Sequence, residues 1–308
     1  MRIYEPKQEV LEALKDSVID VIVEVPKSDL EGVASSTVGA SDWYNNNLAG
    51  YVSKVKIKYI VVGRGVNPKK DHSAANYVLP AINNLASVMS SVKQPIKVST
   101  EIDEDLLSTF KGPSSASFSD EVIIKYIEPI VKFLDDKKTP LFAAVRTFFH
   151  IDKENDLDFA LFRPKYPRTD PNNDNKYHSL FDWLLDAFYS ALDHINFPNM
   201  EIVVGRSGWP SAGYNPHIAN EINAGIYYSK LLDRVNTGGG TPLKPDLATE
   251  TYLFAMYDEN RKDPDEIDTN FGIFKIRKYP GVPHPKEGSG PCLQLHPKYV
   301  PSPSSYAV

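Results

Sequence analysis

Three arginines sit where short apolar runs give way to polar residues. Arg64 follows Tyr59–Val62, Arg206 follows Ile202–Gly205, and Arg146 interrupts Leu141–Phe149. A guanidinium is permanently charged, so it serves as neither base nor nucleophile. Its planar fork does match carboxylates, phosphates and sulfates. Recognition of anions or polar groups is therefore the chemistry these residues offer. Glu101, Glu250 and Glu259 lie near comparable runs and are expected at the same rim. There they could pair with the arginines or carry protons.

Other patterns stop short of a site. Gly63-Arg64-Gly65-Val66-Asn67-Pro68 begins like a dinucleotide-binding turn, but proline stands where the third glycine belongs. Gly205-Arg206-Ser207-Gly208 has the spacing GxSG rather than the GxSxG of a nucleophile elbow, so Ser207 reads as a turn residue. The seven histidines show no HExxH spacing, and one cysteine, Cys292, supplies neither a disulfide nor a cysteine zinc site. No metal or cofactor is expected.

The elements that would position the arginines alternate along the chain. Runs at Ile3–Tyr4, Val21–Val25, Tyr59–Val62, Ile96–Thr100, Leu141–Phe149, Ile202–Gly205 and Thr251–Tyr257 are apolar on both faces, as strands covered by helices are. Between them lie helical stripes such as Val10-Leu11-Ala13-Leu14 and Val78-Leu79-Ile82-Leu85-Met89. Val122-Ile123-Ile127-Val131-Leu134 and Leu180-Phe181-Leu184-Leu185-Phe188-Leu192 form two more. Seven strand–helix units argue for an α/β fold. A (β/α)8 TIM barrel is the nearest architecture, and a doubly wound sheet is the alternative. Residues 1–280 read as one domain, and 281–308 as a Pro/Ser/Gly-rich C-terminal tail without apolar periodicity.

Composition narrows the partners. A net charge of −6 disfavours nucleic acid, and no apolar run reaches the ~18 residues of a membrane helix. The chain has no signal-peptide pattern and no Asn-x-Ser/Thr sequon.

Several segments are far more specific. Glu201-Ile-Val-Val-Gly-Arg-Ser-Gly-Trp-Pro-Ser-Ala-Gly213 resembles the strand-seven signature of plant β-1,3-glucanases, glycoside hydrolase family 17. Thr251-Tyr-Leu-Phe-Ala-Met-Tyr-Asp-Glu-Asn-Arg-Lys262 and Asn270-Phe-Gly-Ile-Phe274 are similar to strand eight and the loop after it. Tyr59-Ile-Val-Val-Gly-Arg-Gly-Val66 resembles strand four, and Gly238-Gly-Gly-Thr-Pro242 a family loop. The resemblance implies a TIM barrel and retaining hydrolysis by two glutamates whose carboxyls lie about 5–5.5 Å apart. By the same resemblance, the acid/base of a V-G-N-E pattern falls on Gly65. The nucleophile of an S-E-S-G-W-P-S pattern falls on Arg206. Where the family has N-V-Y-P-Y-F on strand six, this chain has Ala144-Val-Arg-Thr-Phe-Phe149. Met1-Arg-Ile-Tyr-Glu-Pro6 looks like the second strand, so the first strand–helix unit has no counterpart and the sequence reads as truncated or incomplete.

The resemblance thus implies a glucan endo-1,3-β-glucosidase-like barrel that is catalytically inactive. No catalytic residue is expected at Gly65 or Arg206. The ligand candidates are Arg64, Arg146, Arg206, Glu259, Lys262, Tyr4 and Phe271, in a cleft made cationic by its arginines. Arg206 is expected to pair with Glu259. The ligand would be a carbohydrate or a small anion. Two alternatives are an active O-glycosyl hydrolase that recruits carboxylates such as Glu101 or Glu259, and a storage or structural protein without ligand. Trp209 is expected beneath the site, with Trp43 and Trp183 in the core. The family's members are secreted or vacuolar. The oligomeric state is not readable.

Overall fold

A computed structural model describes residues 1–151, 156–259, 267–276 and 295–297. Its strands are β1 (Arg2–Ile3), β2 (Asp20–Glu24), β3 (Lys56–Val62), β4 (Lys97–Ile102), β5 (Leu141–Ala144), β6 (Arg168–Thr169), β7 (Lys176–Tyr177), β8 (Ile202–Ser207) and β9 (Thr251–Leu253). The helices are α1 (Gln8–Ala13), α2 (Leu30–Ser35), α3 (Thr37–Asn47), α4 (His72–Met89), α5 (Glu121–Asp136), α6 (Leu157–Ala160), α7 (Leu180–His194) and α8 (Glu221–Asn236). Strands β6 and β7 form a small antiparallel pair of their own.

Seven strands are parallel and hydrogen-bonded in the order β1-β2-β3-β4-β5-β8-β9. The order never reverses. A doubly wound sheet requires a reversal, with its binding crevice at the switch point. The sheet instead curls into a nearly closed barrel. Tyr4, just past β1, meets Phe254, just past β9, edge to face at 6.0 Å. Seven strands rather than eight make the wall, as expected from the resemblance. Every C-terminal strand end faces one mouth.

Alternation along the strands sorts the apolar residues into two layers. Val21, Val23, Ile60, Val62, Ala143 and Val204 face the helices and join the large core there. Ile22, Tyr59, Val61, Phe142 and Val203 form a separate cluster with Tyr252, which fills the barrel interior. The expected stripes of α4 and α7 are largely buried. On α5 the stripe begins at Ile123; Val122, expected on it, is exposed. Side chains of Asp120, Ser179 and Asn220 cap α5, α7 and α8, accepting from backbone N–H groups three residues on. Trp43 is buried on α3, and Trp183 packs half-buried against the core.

Two expected strands are shorter than their apolar runs. Leu141–Phe149 is a strand only to Ala144, after which Thr147–His150 forms a 3₁₀ turn. Thr251–Tyr257 is a strand only to Leu253, and Tyr257 then bridges to Phe274. In both places the chain leaves the wall to line the mouth. The segment Phe274–Ile276 (β10) pairs antiparallel with Leu295–Pro297 (β11). The rest of the expected tail, 281–294 and 298–308, lies outside the described residues.

One buried carboxyl sits apart from the mouth. Asp186 of α7 is fully buried, and its Oδ2 accepts from Tyr177 and from the Leu243 N–H, both at 2.9 Å. Burial pushes it up to about 7, and its hydrogen bonds offset this only in part. The group holds a proton in the folded chain that it loses near pH 4 when unfolded. Its contribution to stability is therefore complete below about pH 4 and is lost as pH rises through about 7. Thermal melts of Asp186→Asn against the parent should show the variant gaining relative stability from pH 4 to pH 8, with no further gain above. A difference that is flat with pH would contradict this assignment.

Candidate functional site

The mouth is organised by charges at strand ends. Arg64, after β3, donates from Nε to Glu24 at the end of β2, at 2.6 Å. Glu24 also accepts from Nε of Arg2 in β1, at 2.7 Å. Arg2 reaches across the barrel to Glu101 of β4 and donates to the Gly205 carbonyl of β8 at 2.6 Å. Glu101 accepts from Arg206 Nε at 2.7 Å, and Arg206 Nη2 donates to Asp103 at 2.8 Å. Arg146, after β5, lies 3.7 Å from Asp103 and donates to Glu104 at 2.9 Å.

These contacts form one alternating chain: Arg64, Glu24, Arg2, Glu101, Arg206, Asp103, Arg146, Glu104. It holds four cations and four anions and touches the ends of six of the seven barrel strands. The middle is buried: the side chains of Arg2 and Glu24 are 4% exposed and Glu101 is 0% exposed. The terminal arginines, Arg64 and Arg146, are the accessible ones, at 38% and 32%. Burial alone would push the Glu101 carboxyl up. Arg2 and then Arg206 outweigh that and hold it below the ordinary carboxylate range. Burial opposes the charge on Arg206, but Glu101 and Asp103 raise its pKa further above the ordinary arginine value.

Gly205 makes the central crossing sterically feasible. A Cβ there would run into Glu101, the Arg2 guanidinium and the Phe142 ring.

Above the ion pairs lies a cavity of about 490 Å³. It is lined by Tyr4, Arg64, Arg146, Arg206, Glu259 and Phe271, which the sequence singled out separately. Lys262 lies outside the described residues. Phe149, Phe254 and Asp268 also line the cavity. Arg64 lies over the Tyr4 ring at 4.9 Å, and Arg146 over Phe149 at 5.6 Å. Phe149 stacks on Phe271 at 6.3 Å. Beneath them Trp209 is fully buried, donates to the Ile218 carbonyl at 3.0 Å and meets Phe148 edge to face. Ser207 is structural, with its hydroxyl 2.6 Å from both the Val145 carbonyl and the Tyr227 hydroxyl.

Three expectations are corrected. The ion pairs of Arg206 go to Glu101 and Asp103 instead of Glu259. Glu250 is not at the mouth: it precedes β9 and pairs with Lys58 near the start of β3, at 2.8 Å, at the opposite end of the barrel. The cleft is not cationic by arginine count, because each guanidinium arrives with a carboxylate.

Two smaller cavities continue the first. One, of about 170 Å³, shares Tyr4 and Arg64 with it and is bounded by Glu24 and Lys27. The other, of about 360 Å³, shares Phe149 and Ile267 and has Ile151, Tyr214 and Ile218 in its wall. Together they form an elongated cleft. No cluster of His, Cys, Asp and Glu among the described residues is arranged to hold a metal ion.

In TIM barrels the functional site lies at the C-terminal strand ends, where this cleft sits. The chain belongs to the glycosyl hydrolases family 17, whose model matches residues 1–281. It is 42% identical over 280 residues to a glucan endo-1,3-beta-glucosidase of Vitis vinifera, covering 89% of this chain and 79% of the relative. It is 40% identical to glucan endo-1,3-beta-glucosidase A of Solanum lycopersicum, covering 91% and 82%. Among solved structures it resembles CJP38, a beta-1,3-glucanase and allergen of Cryptomeria japonica pollen. That match has TM-score 0.83 and 36% identity, and covers 89% of this chain and 86% of that one.

Glu101 is the most deeply buried member of the chain, and its loss leaves Arg2 and Arg206 each short of a partner. Removing one partner of a buried ion pair costs about 3–5 kcal/mol. Glu101→Gln should lower stability by that order in denaturant titrations, and Gly205→Ala should act in the same direction. Stability within 1 kcal/mol of the parent for both variants would show that the crossing contributes little.

Proposed function

We propose that this chain binds a β-1,3-glucan chain without hydrolysing it. The observation that carries the reading is the alternating chain of ion pairs at the mouth. On the family's pattern, the strand ends should present two carboxyls about 5–5.5 Å apart, one protonated and one free to attack. Here those positions correspond to Gly65 and Arg206. Arg206 is tied to Glu101 and Asp103, and glycine has no side chain to offer.

The buried carboxylates do not take over. Glu101 has no exposed surface and sits below the ordinary carboxylate range, so it neither reaches a sugar nor holds a proton for a leaving oxygen. Asp103 faces Arg206 and Arg146. Glu259 and Asp268 line the cavity, and an active enzyme would have to use them.

Several features favour a neutral carbohydrate over a small anion. The ion-pair chain carries no net charge. The exposed parts of Arg64 and Arg146 can donate to hydroxyls, while Phe149, 49% exposed, offers aromatic surface. The joined cavities suit an extended ligand, and the relatives are named for β-1,3-glucan cleavage.

Two measurements test this together: calorimetric titration with laminaritriose, and release of reducing ends from laminarin. Binding should be measurable, Arg146→Ala should weaken it about tenfold or more, and no turnover should exceed the protein-free rate. Turnover abolished by Glu259→Gln would establish the active enzyme instead. Absence of both binding and turnover would favour a role without ligand.

A further inference from the structure

Three arginines of the ion-pair chain reach the central cavity and the fourth does not. Arg64, Arg146 and Arg206 are in its lining. Arg2 lines none of the three cavities described above, and its side chain is buried. It nevertheless contacts both carboxylates that hold Arg64 and Arg206 in place.

The carboxylate oxygens are divided between them. Glu24 offers Oε1 to Arg2 Nε, at 2.7 Å, and Oε2 to Arg64 Nε, at 2.6 Å. Glu101 offers Oε2 to Arg2 Nη1 and Oε1 to Arg206 Nε, the latter at 2.7 Å. Arg2 thus occupies one oxygen of each carboxylate and leaves the other to an arginine of the cavity. A carboxylate with both oxygens free takes a guanidinium in a bidentate pair, fork to fork. Arg2 blocks that arrangement at Glu24 and at Glu101. The effect shows at Arg64, which is bound through Nε. Its terminal nitrogens have no hydrogen-bond partner among the described residues.

Arg2 is itself fixed by a third acceptor. Its Nη1 also donates to the Gly205 carbonyl, at 2.6 Å. Glu24, Glu101 and Gly205 lie on three different strands. A planar guanidinium serves such separated acceptors at once. An ammonium carries the same charge without the fixed directions.

We infer that Arg2 is a positioning residue for the ligand of the central cavity: without touching the ligand, it keeps Arg64 and Arg206 presented to the cavity by occupying one oxygen of Glu24 and one of Glu101. The inference rests on reading that cavity as a sugar site.

The test compares Arg2→Lys with Arg2→Met, by thermal melts and by calorimetric titration with laminaritriose. Lysine keeps a charge between Glu24 and Glu101 but loses the fork. It should recover much of the stability that methionine loses and little of the affinity. Both variants should bind about tenfold more weakly than the parent. Leu85→Ala, in the core on α4, loses stability without reaching the mouth and should bind as the parent does. Much of the effect passes through Arg64, so in an Arg64→Ala background Arg2→Lys should weaken binding by no more than about threefold. If neither Arg2 variant folds, Glu24→Gln breaks the same link. It should weaken binding in the parent and barely change it in Arg64→Ala.

Parent-like affinity in Arg2→Lys overturns the inference, because charge alone then suffices. An equal effect of Arg2→Lys, or of Glu24→Gln in its place, with and without Arg64 also overturns it. So does a matching loss of affinity in Leu85→Ala, which would reduce Arg2 to a support of the fold. In all three cases laminaritriose still binds the parent, and the sugar reading stands. A parent that does not bind laminaritriose removes the sugar reading and this inference together.

Discussion

Four arginines and four carboxylates set around one barrel mouth, the inner ones buried, can persist only if each finds its partner. Taking an ion from water into a protein interior costs several kcal/mol, and the attraction between neighbours offsets that only with good geometry and satisfied hydrogen bonds. The alternating chain from Arg64 to Glu104 meets this condition link by link. Its demands reach well beyond the site. Arg2 contacts Glu24 of β2, Glu101 of β4 and the carbonyl of Gly205 in β8, so strands far apart in sequence must arrive at one height. A slip of one residue in any of them would turn a charge toward the helices. The apolar interior layer of Ile22, Tyr59, Val61, Phe142 and Val203 lies directly below and excludes water from the floor. The polar mouth and the apolar filling therefore depend on the same register.

The same chain explains the character of the cleft. Counting arginines alone suggests a cationic pocket. Counting their partners removes that charge and leaves an edge of guanidinium donors against aromatic faces. Only the two terminal arginines reach solvent to any extent, so the polar surface available to a ligand is narrow. Tyr4 is held against it by two guanidinium groups, those of Arg2 and Arg64.

Much of this was legible in the sequence, and the reasons are local. Two-faced apolar runs marked the strands, and helical stripes marked α4, α5 and α7. The three arginines of the cavity stand just after strands, while Glu259 and Phe271 were legible only through the resemblance to the family. What the sequence hid were the partners. Arg2, Glu24, Asp103 and Glu104 carry no motif. The contact from Arg206 to Glu101 spans 105 positions, and only the closed topology makes it a neighbour relation. Glu250 was misplaced because a carboxylate beside an apolar run can lie at either end of a strand; here it comes before β9. The run Leu141–Phe149 hid a break, because Phe148 and Phe149 are as apolar as a strand requires but serve the cleft. Tyr214 drew no attention, since a lone tyrosine after a Gly-containing turn has no pattern to betray it.

Arg206 limits what else its position can hold. Its guanidinium is wedged between Glu101 and Asp103. A carboxylate at that one position would bring three negative charges together, with Arg2 at Glu101 and Arg146 near Asp103 as the remaining cations. Replacing Arg206 alone with a carboxylate is therefore destabilising unless Glu101 and Asp103 change with it. Changing Glu101 first would leave Arg2 and Arg206 crowded together instead. The mouth behaves as one coupled unit: complementary charges hold one another in place, and removing any single inner member leaves an opposite charge without its partner.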